Sequence, residues 1–175
     1  QRCISYLSIG HEIAVPLELR ASLGDWVFGC DLCQQVCPWN RRVSVSPSFP
    51  EFLPQPERIW LPLKDIFSLT NLEFKQKFQR SSLLRPKWRG LCRNSAVVLG
   101  NLVRTEELSY QAAFDLLSRT LQNHSDSLVR QHLAWGLAQA DSVVARRVLQ
   151  EHTQREVDPL VKDEIEALLG QTNLH

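Results

Sequence analysis

The chain has 175 residues, 43% of them hydrophobic, and a formal net charge of +1, which suits one ordinary domain core or a small module joined to a helical one. The near-zero total confines any argument about a charged partner to local patches, and the lack of a run of about eighteen apolar residues excludes a spanning helix. The opening QRCISYLSIGHEI has no basic start, apolar stretch or small-residue cleavage site, so a reducing, cytoplasmic setting without a secretory signal is expected.

Residues 1–43 form a cysteine module carrying four of the five cysteines, with a turn signal at Gly24-Asp25. Residues 44–62 read as a connector. Prolines at positions 47, 50, 54, 56 and 62 argue against helix or central strand there, and Phe49, Phe52 and Trp60 are expected to pack it down. From residue 63 to 175 the apolar spacing is helical. Thr70-Asn71-Leu72-Glu73 is a capping-box sequence. Asp141 and Asp158 are expected as later N-caps, the second followed by Pro159 at the favoured first helical position, and Gly170 as a C-cap.

Three segments, each an apolar pair followed by a base, repeat along this part: Leu91-Cys92-Arg93, Leu128-Val129-Arg130 and Leu160-Val161-Lys162, starting 37 and 32 residues apart. Such periods predict stacked helix pairs, because one pair alone cannot bury its apolar face. Partner helices are expected around Ala112 to Leu121 and Val143 to Leu149. The expected fold is therefore mainly α, a ferredoxin-like module followed by an α-helical HEAT-like repeat domain; an irregular helical bundle is the alternative.

The spacing Cys30-x2-Cys33-x3-Cys37-Pro38 is the back half of the bacterial ferredoxin run. Its leading cysteine is missing at the usual place, and Cys3 is the candidate substitute. Cys3, Cys30 and Cys33 would then hold one 4Fe-4S cluster, while Cys37, the cysteine before proline, ligates a second. The chain also contains no methionine, from which a fragment is expected, with the remaining ligands upstream. A four-cysteine zinc site has the right ligand count and stays open as an alternative. Cys92, between Leu91 and Arg93 in a helical segment, reads as a core thiol. His11, His124, His132, His152 and His175 show no metal spacing and are given no catalytic role.

Between Glu73 and Glu106 no acid occurs, while Lys75, Lys77, Arg80, Arg85, Lys87, Arg89, Arg93 and Arg104 do. A cluster of one sign is an electrostatic footprint for phosphate. Trp88 within Arg85-Pro86-Lys87-Trp88-Arg89 offers a stacking ring of the kind single-stranded RNA loops use. The alternative is a solvated helix face with Trp88 in the core.

Arg2-Cys3-Ile4-Ser5-Tyr6-Leu7, then GCDLCQQVCPWN, then Leu91-Cys92-Arg93-Asn94-Ser95-Ala96-Val97-Val98-Leu99-Gly100-Asn101, in that order and spacing, resemble the C-terminal half of epoxyqueuosine reductase. The resemblance covers nearly the whole chain and is strongest at the cysteines. It implies an oxidoreductase in which two 4Fe-4S clusters feed electrons to cobalamin, removing the epoxide oxygen of epoxyqueuosine at the anticodon wobble position of tRNA. The family's cobalamin domain and acidic proton donor precede the clusters, so no catalytic residue is expected within these residues and the piece alone is expected to be inactive. The resemblance makes Cys3, Cys30, Cys33 and Cys37 cluster ligands and places Ser5, Cys30 and Asp31 beside the corrinoid, with turn hydrogen bonding the alternative for Ser5 and Asp31. A tRNA substrate favours Arg85, Lys87, Trp88, Arg89 and Arg93 as RNA-facing residues. Gly10-His11-Glu12 departs from the family's usual glutamate, lysine and glycine, which leaves loop contacts there open. A monomer without membrane attachment is expected, and the electron donor is not indicated. The rival readings are another cobalamin and iron-sulfur electron-transfer reductase, or a zinc-stapled HEAT-like interaction module.

Overall fold

The computed structural model describes residues 2–40, 49, 62–105, 110–140 and 142–171. A π-helical turn at Tyr6–Gly10 is followed by short α1 (Leu17–Arg20), a 3-10 turn at Ala21–Leu23, and one-turn α2 (Leu32–Gln35). Longer helices then dominate: α3 (Leu63–Ser68), α4 (Asn71–Lys77), α5 (Lys87–Arg104), α6 (Tyr110–Asn123), α7 (Ser127–Ala138), α8 (Val143–Thr153) and α9 (Pro159–Gln171). No strand occurs among the described residues, so the molecule is mainly α.

Local chemistry sets the helix starts. Thr70 and Glu73 form the expected capping box on α4. Asp126 accepts from the Val129 N–H on α7, and Asp158 accepts from the Leu160 N–H on α9, 3.0 Å away. On α8 the cap is Ser142, whose Oγ accepts from the Ala145 N–H at 3.0 Å; Asp141 lies outside the described residues. Gly170 does not end a helix either. It lies within α9, whereas the described glycines with positive φ are Gly24 and Gly29. Pro62 heads α3, Phe49 is 62% exposed rather than buried, and the rest of the connector from position 44, with Phe52 and Trp60, falls outside the described residues.

The three repeated segments lie in α5, α7 and α9, which form one layer: α5 packs on α7, and α7 on α9. Helices α6 and α8 cover them as a second layer. The amphipathic stripes of each pair thus close on a shared core that includes Ala96, Leu117, Leu133, Leu137, Leu149 and Ile165. The closest crossing depends on glycine. A methyl group on Gly100 would stand 2.7 Å from the Cα of Gly136, and one on Gly136 would stand 2.8 Å from the carbonyl oxygen of Ala96; bare backbone is what lets α5 and α7 touch.

The cysteine module packs on the other side of α5. A second apolar cluster joins Leu7, Val15 and Leu23 of the module to Val97, Trp135 and Leu168. This explains why α5 is buried nearly all round from Gly90 to Asn101. The buried ion pair between Arg20 on α1 and Glu164 on α9 adds a second tie, with Gln131 on the same carboxylate. His132 supplies a third. Its Nε2 accepts from the Val15 N–H at 3.1 Å while its Nδ1 donates to the Leu128 carbonyl at 2.7 Å, and burial, reinforced by the Arg20 cation, lowers its pKa so that the ring stays neutral.

Candidate metal centre

Cys30 and Cys33 bracket the start of α2, and Cys37 follows its last turn, where its N–H donates to the Gln34 carbonyl. Asp31 N-caps the turn through its carbonyl, which accepts from the Gln34 and Gln35 N–H groups at 2.9 Å. Its carboxylate does not cap the helix, and the Ser5 hydroxyl does not cap its own turn. Nothing in α2 is buried. Eight residues with three thiols thus hold one helical turn with no apolar anchor of their own, and their placement comes from neighbours.

Those neighbours lead back to Cys3. The Leu7 N–H donates to the Cys3 carbonyl at 3.0 Å, and the fully buried Ser8 Oγ accepts from the Gly29 N–H at 3.0 Å. Gly29 sits at φ +72, a conformation that favours glycine, immediately before Cys30. The Cys3 and Cys30 segments therefore run side by side.

All four thiols are free, Cys3 and Cys33 exposed, Cys30 and Cys37 half-buried. Four soft donors on adjacent loops suit iron-sulfur ligation. Among the described residues no three His, Cys, Asp or Glu side chains are grouped so as to hold a metal ion. Cys92 is separate: it is fully buried, its thiol faces the Ile66 carbonyl at 3.6 Å, and burial pushes its pKa up, so it is an inert core thiol.

The basic run divides on folding. Lys75, Lys77, Arg80, Arg85, Lys87 and Arg89 are exposed. Lys87 pairs with Glu12 at 2.8 Å and holds that carboxyl below its ordinary range, while Arg89 pairs with Asp126, the cap of α7, at 2.8 Å. Arg93 must be withdrawn from the RNA-facing set. Its guanidinium is completely buried and donates to the carbonyls of Leu7, His11 and Ile13; burial lowers its pKa only to about 10, so it stays charged at neutral pH. Trp88 is half-buried: its indole N–H donates to the Ile66 carbonyl at 3.2 Å, and one face stacks on His124 with ring centroids 5.1 Å apart, so part of the ring is engaged in packing.

Two residues that the sequence did not single out, Ser8 and Asn94, hold the module together. Asn94 Nδ2 donates to the carbonyls of Ser8 at 2.7 Å and Val27 at 2.8 Å. The available signal was the polar triplet Arg93-Asn94-Ser95 inside the otherwise apolar run of α5, since buried polar groups need partners.

Residues 1–40 match the family of 4Fe-4S double cluster binding domains. The chain is similar to an epoxyqueuosine reductase from Xanthomonas campestris pv. campestris, 35% identical over 140 residues, which is 79% of this chain and 37% of the relative. A second reductase of that name, from Pseudomonas aeruginosa, is 38% identical over 141 residues, 78% of this chain and 36% of the relative. Among solved structures, that of an epoxyqueuosine reductase with an epoxyqueuosine-modified tRNA-Tyr stem loop superposes with a TM-score of 0.84 at 28% identity, over 99% of this chain and 44% of that one. The chain thus spans less than half the length of the proteins it matches.

Proposed function

We propose that this chain is the cluster-bearing and RNA-docking part of a reductase that converts epoxyqueuosine to queuosine in tRNA. The observation that carries the reading is the cysteine module, matched over residues 1–40 by a double-cluster domain, in a chain that superposes over 99% of its length on an epoxyqueuosine reductase. Net reaction removes the epoxide oxygen as water and takes up two electrons and two protons. When bound, the clusters and a corrinoid supply the electron transfer and the reductive chemistry.

This chain's residues have three tasks in that scheme. Cys3, Cys30 and Cys33 ligate one cluster and Cys37 contributes to a second, the remaining ligands coming from outside these residues. Ser5 and Asp31, whose side chains cap no helix, border the corrinoid. Arg85, Lys87 and Arg89, exposed beside the start of α5, meet the phosphates of the tRNA. The division of labour follows residues 1–43, a connector at 44–62 and a HEAT-like repeat domain at 63–175, in a cytoplasmic monomer. No helix among the described residues is long and apolar enough to cross a membrane.

The test is single-turnover conversion of an epoxyqueuosine-bearing tRNA stem loop by the full-length protein under anaerobic reduction, followed by mass spectrometry of the nucleoside. Queuosine is expected with the wild type and none with Cys33→Ala. Full conversion by Cys33→Ala would overturn the assignment.

A further inference from the structure

Of the polar residues that α5 buries, Ser95 bonds back to the Leu91 carbonyl of its own helix, whereas Arg93, Asn94 and Asn101 reach toward the cysteine module in two groups two helical turns apart. Arg93 and Asn94 form the upper group, both fully buried. Asn94 Oδ1 accepts from Arg93 Nε at 3.0 Å and Nη2 at 2.8 Å, which fixes the orientation of the amide, and its two N–H bonds then tie Ser8 to Val27. Arg93 Nη2 takes the Leu7 carbonyl at 2.7 Å. From these points one path reaches Cys3, through the Leu7 N–H on the Cys3 carbonyl, and another reaches the neighbour of Cys30, through the Gly29 N–H on Ser8 Oγ.

Asn101 forms the lower group with the same double donation, to the carbonyls of Arg20 at 3.0 Å and Gly24 at 2.9 Å. That segment carries no cysteine. The two asparagines share this double donation through Nδ2. They differ in that Asn94 Oδ1 accepts from Arg93 whereas Asn101 Oδ1 is buried with no hydrogen-bond partner among the described residues, and in where the donated bonds lead.

We propose that Asn94, acting through Ser8, is a positioning residue for the cluster, setting the separation of the Cys3 and Cys30 ligand loops from the helical stack. This rests on the reading that Cys3 and Cys30 ligate a common cluster. The physical reason is rigidity. The Cys30 loop buries no apolar residue, so it holds a fixed spacing from the Cys3 loop only if its backbone is bonded to something stiff, and hydrogen bonding and ligand geometry around the thiolates set a cluster's electronic properties. Asn101 serves ordinary cohesion and is the internal control.

The experiment uses the full-length protein, anaerobically reconstituted, as wild type and as Asn94→Ala, Ser8→Ala and Asn101→Ala. Iron content, melting temperature, the EPR spectrum of the reduced clusters and their midpoint potentials are measured. Asn94→Ala and Ser8→Ala are expected to shift the g-values and midpoint potential of one cluster. Asn101→Ala is expected to lower the melting temperature while leaving both cluster readouts at wild-type values. Should Asn94→Ala not fold, Ser8→Ala, which removes a single oxygen within the module, carries the test. Wild-type spectra and potentials in the Ser8 and Asn94 variants that fold, or an equal shift in Asn101→Ala, would overturn the inference. A wild type that takes up no iron-sulfur cluster would instead overturn the ligand reading beneath it.

Discussion

The helical stack and the cysteine module achieve order in opposite ways. From α3 to α9 the chain buries its own apolar faces, and each helix meets a neighbour in the stack. The module contributes Leu7, Val15 and Leu23 to a cluster completed by α5, α7 and α9, and α2, within the segment with three thiols, has no buried residue. The backbone of the module from Leu7 to Val27 is held by side chains of the stack: Arg93, Asn94, Asn101 and His132. The stack of helices is held by its own apolar core, whereas the cysteine module borrows its order from the stack.

The largest expected effect comes from cutting the charged tie between the two regions. Glu164→Leu leaves the Arg20 cation, 1% exposed, without its carboxylate, and removing one partner of a buried pair costs about 3–5 kcal/mol. Chemical denaturation should show this loss, with hydrogen exchange accelerated across residues 15–24. An unchanged midpoint would mean that the module does not depend on the stack.

Overpacking the helix crossing should cost somewhat less and strike the stack itself. Gly136→Ala places a methyl group against the Ala96 carbonyl, and strain of this kind typically costs about 1–3 kcal/mol. A stability equal to wild type would show that α5 and α7 separate freely.

Acid should loosen the stack at a defined place. Arg130 donates to Glu156 at 2.7 and 2.8 Å and, with His152 and the Asp158 N–H, lowers the Glu156 pKa from 4.5 to about 2. Because the folded-state value is depressed, the stabilisation is fully present above about pH 4.5 and fades as pH falls through about 2. Glu156→Gln should be less stable than wild type at neutral pH and converge with it near pH 2. Parallel pH profiles for the two proteins would contradict this.

The smallest structural effect is local. Thr70→Ala removes the α4 capping box at an expected cost of about 1 kcal/mol, read as a small shift in the denaturation midpoint. Binding is probed separately with Arg85→Glu and Lys87→Glu, sparing Arg89 because it braces the α7 cap at Asp126. Affinity for the tRNA stem loop should fall and the salt slope flatten by about one per lost phosphate contact, with iron content unchanged. Equal binding across a salt series would leave these cations as ordinary surface.

What was legible in the sequence follows the same division. The repeat of apolar pairs, the Thr70 capping box and the Asp158-Pro159 start are local signals, and each lies where it was expected. The expected cap Gly170 lies inside α9, because a helix can run through glycine, and Asp141 lies outside the described residues, next to Ser142, which caps α8. The charge of Arg93 pointed to RNA, yet that side chain closes contacts with residues more than 80 positions away. Spacing along the chain carries no record of such partners, and only the need of buried polar groups for hydrogen bonds hints at them.

The most direct test of the central claim is iron, sulfide and zinc analysis of the full-length protein after anaerobic reconstitution. The account predicts about eight irons and eight sulfides per chain with a broad visible absorbance, as two cubane clusters require, and loss of about half on Cys30→Ala. One zinc per chain without iron would contradict it.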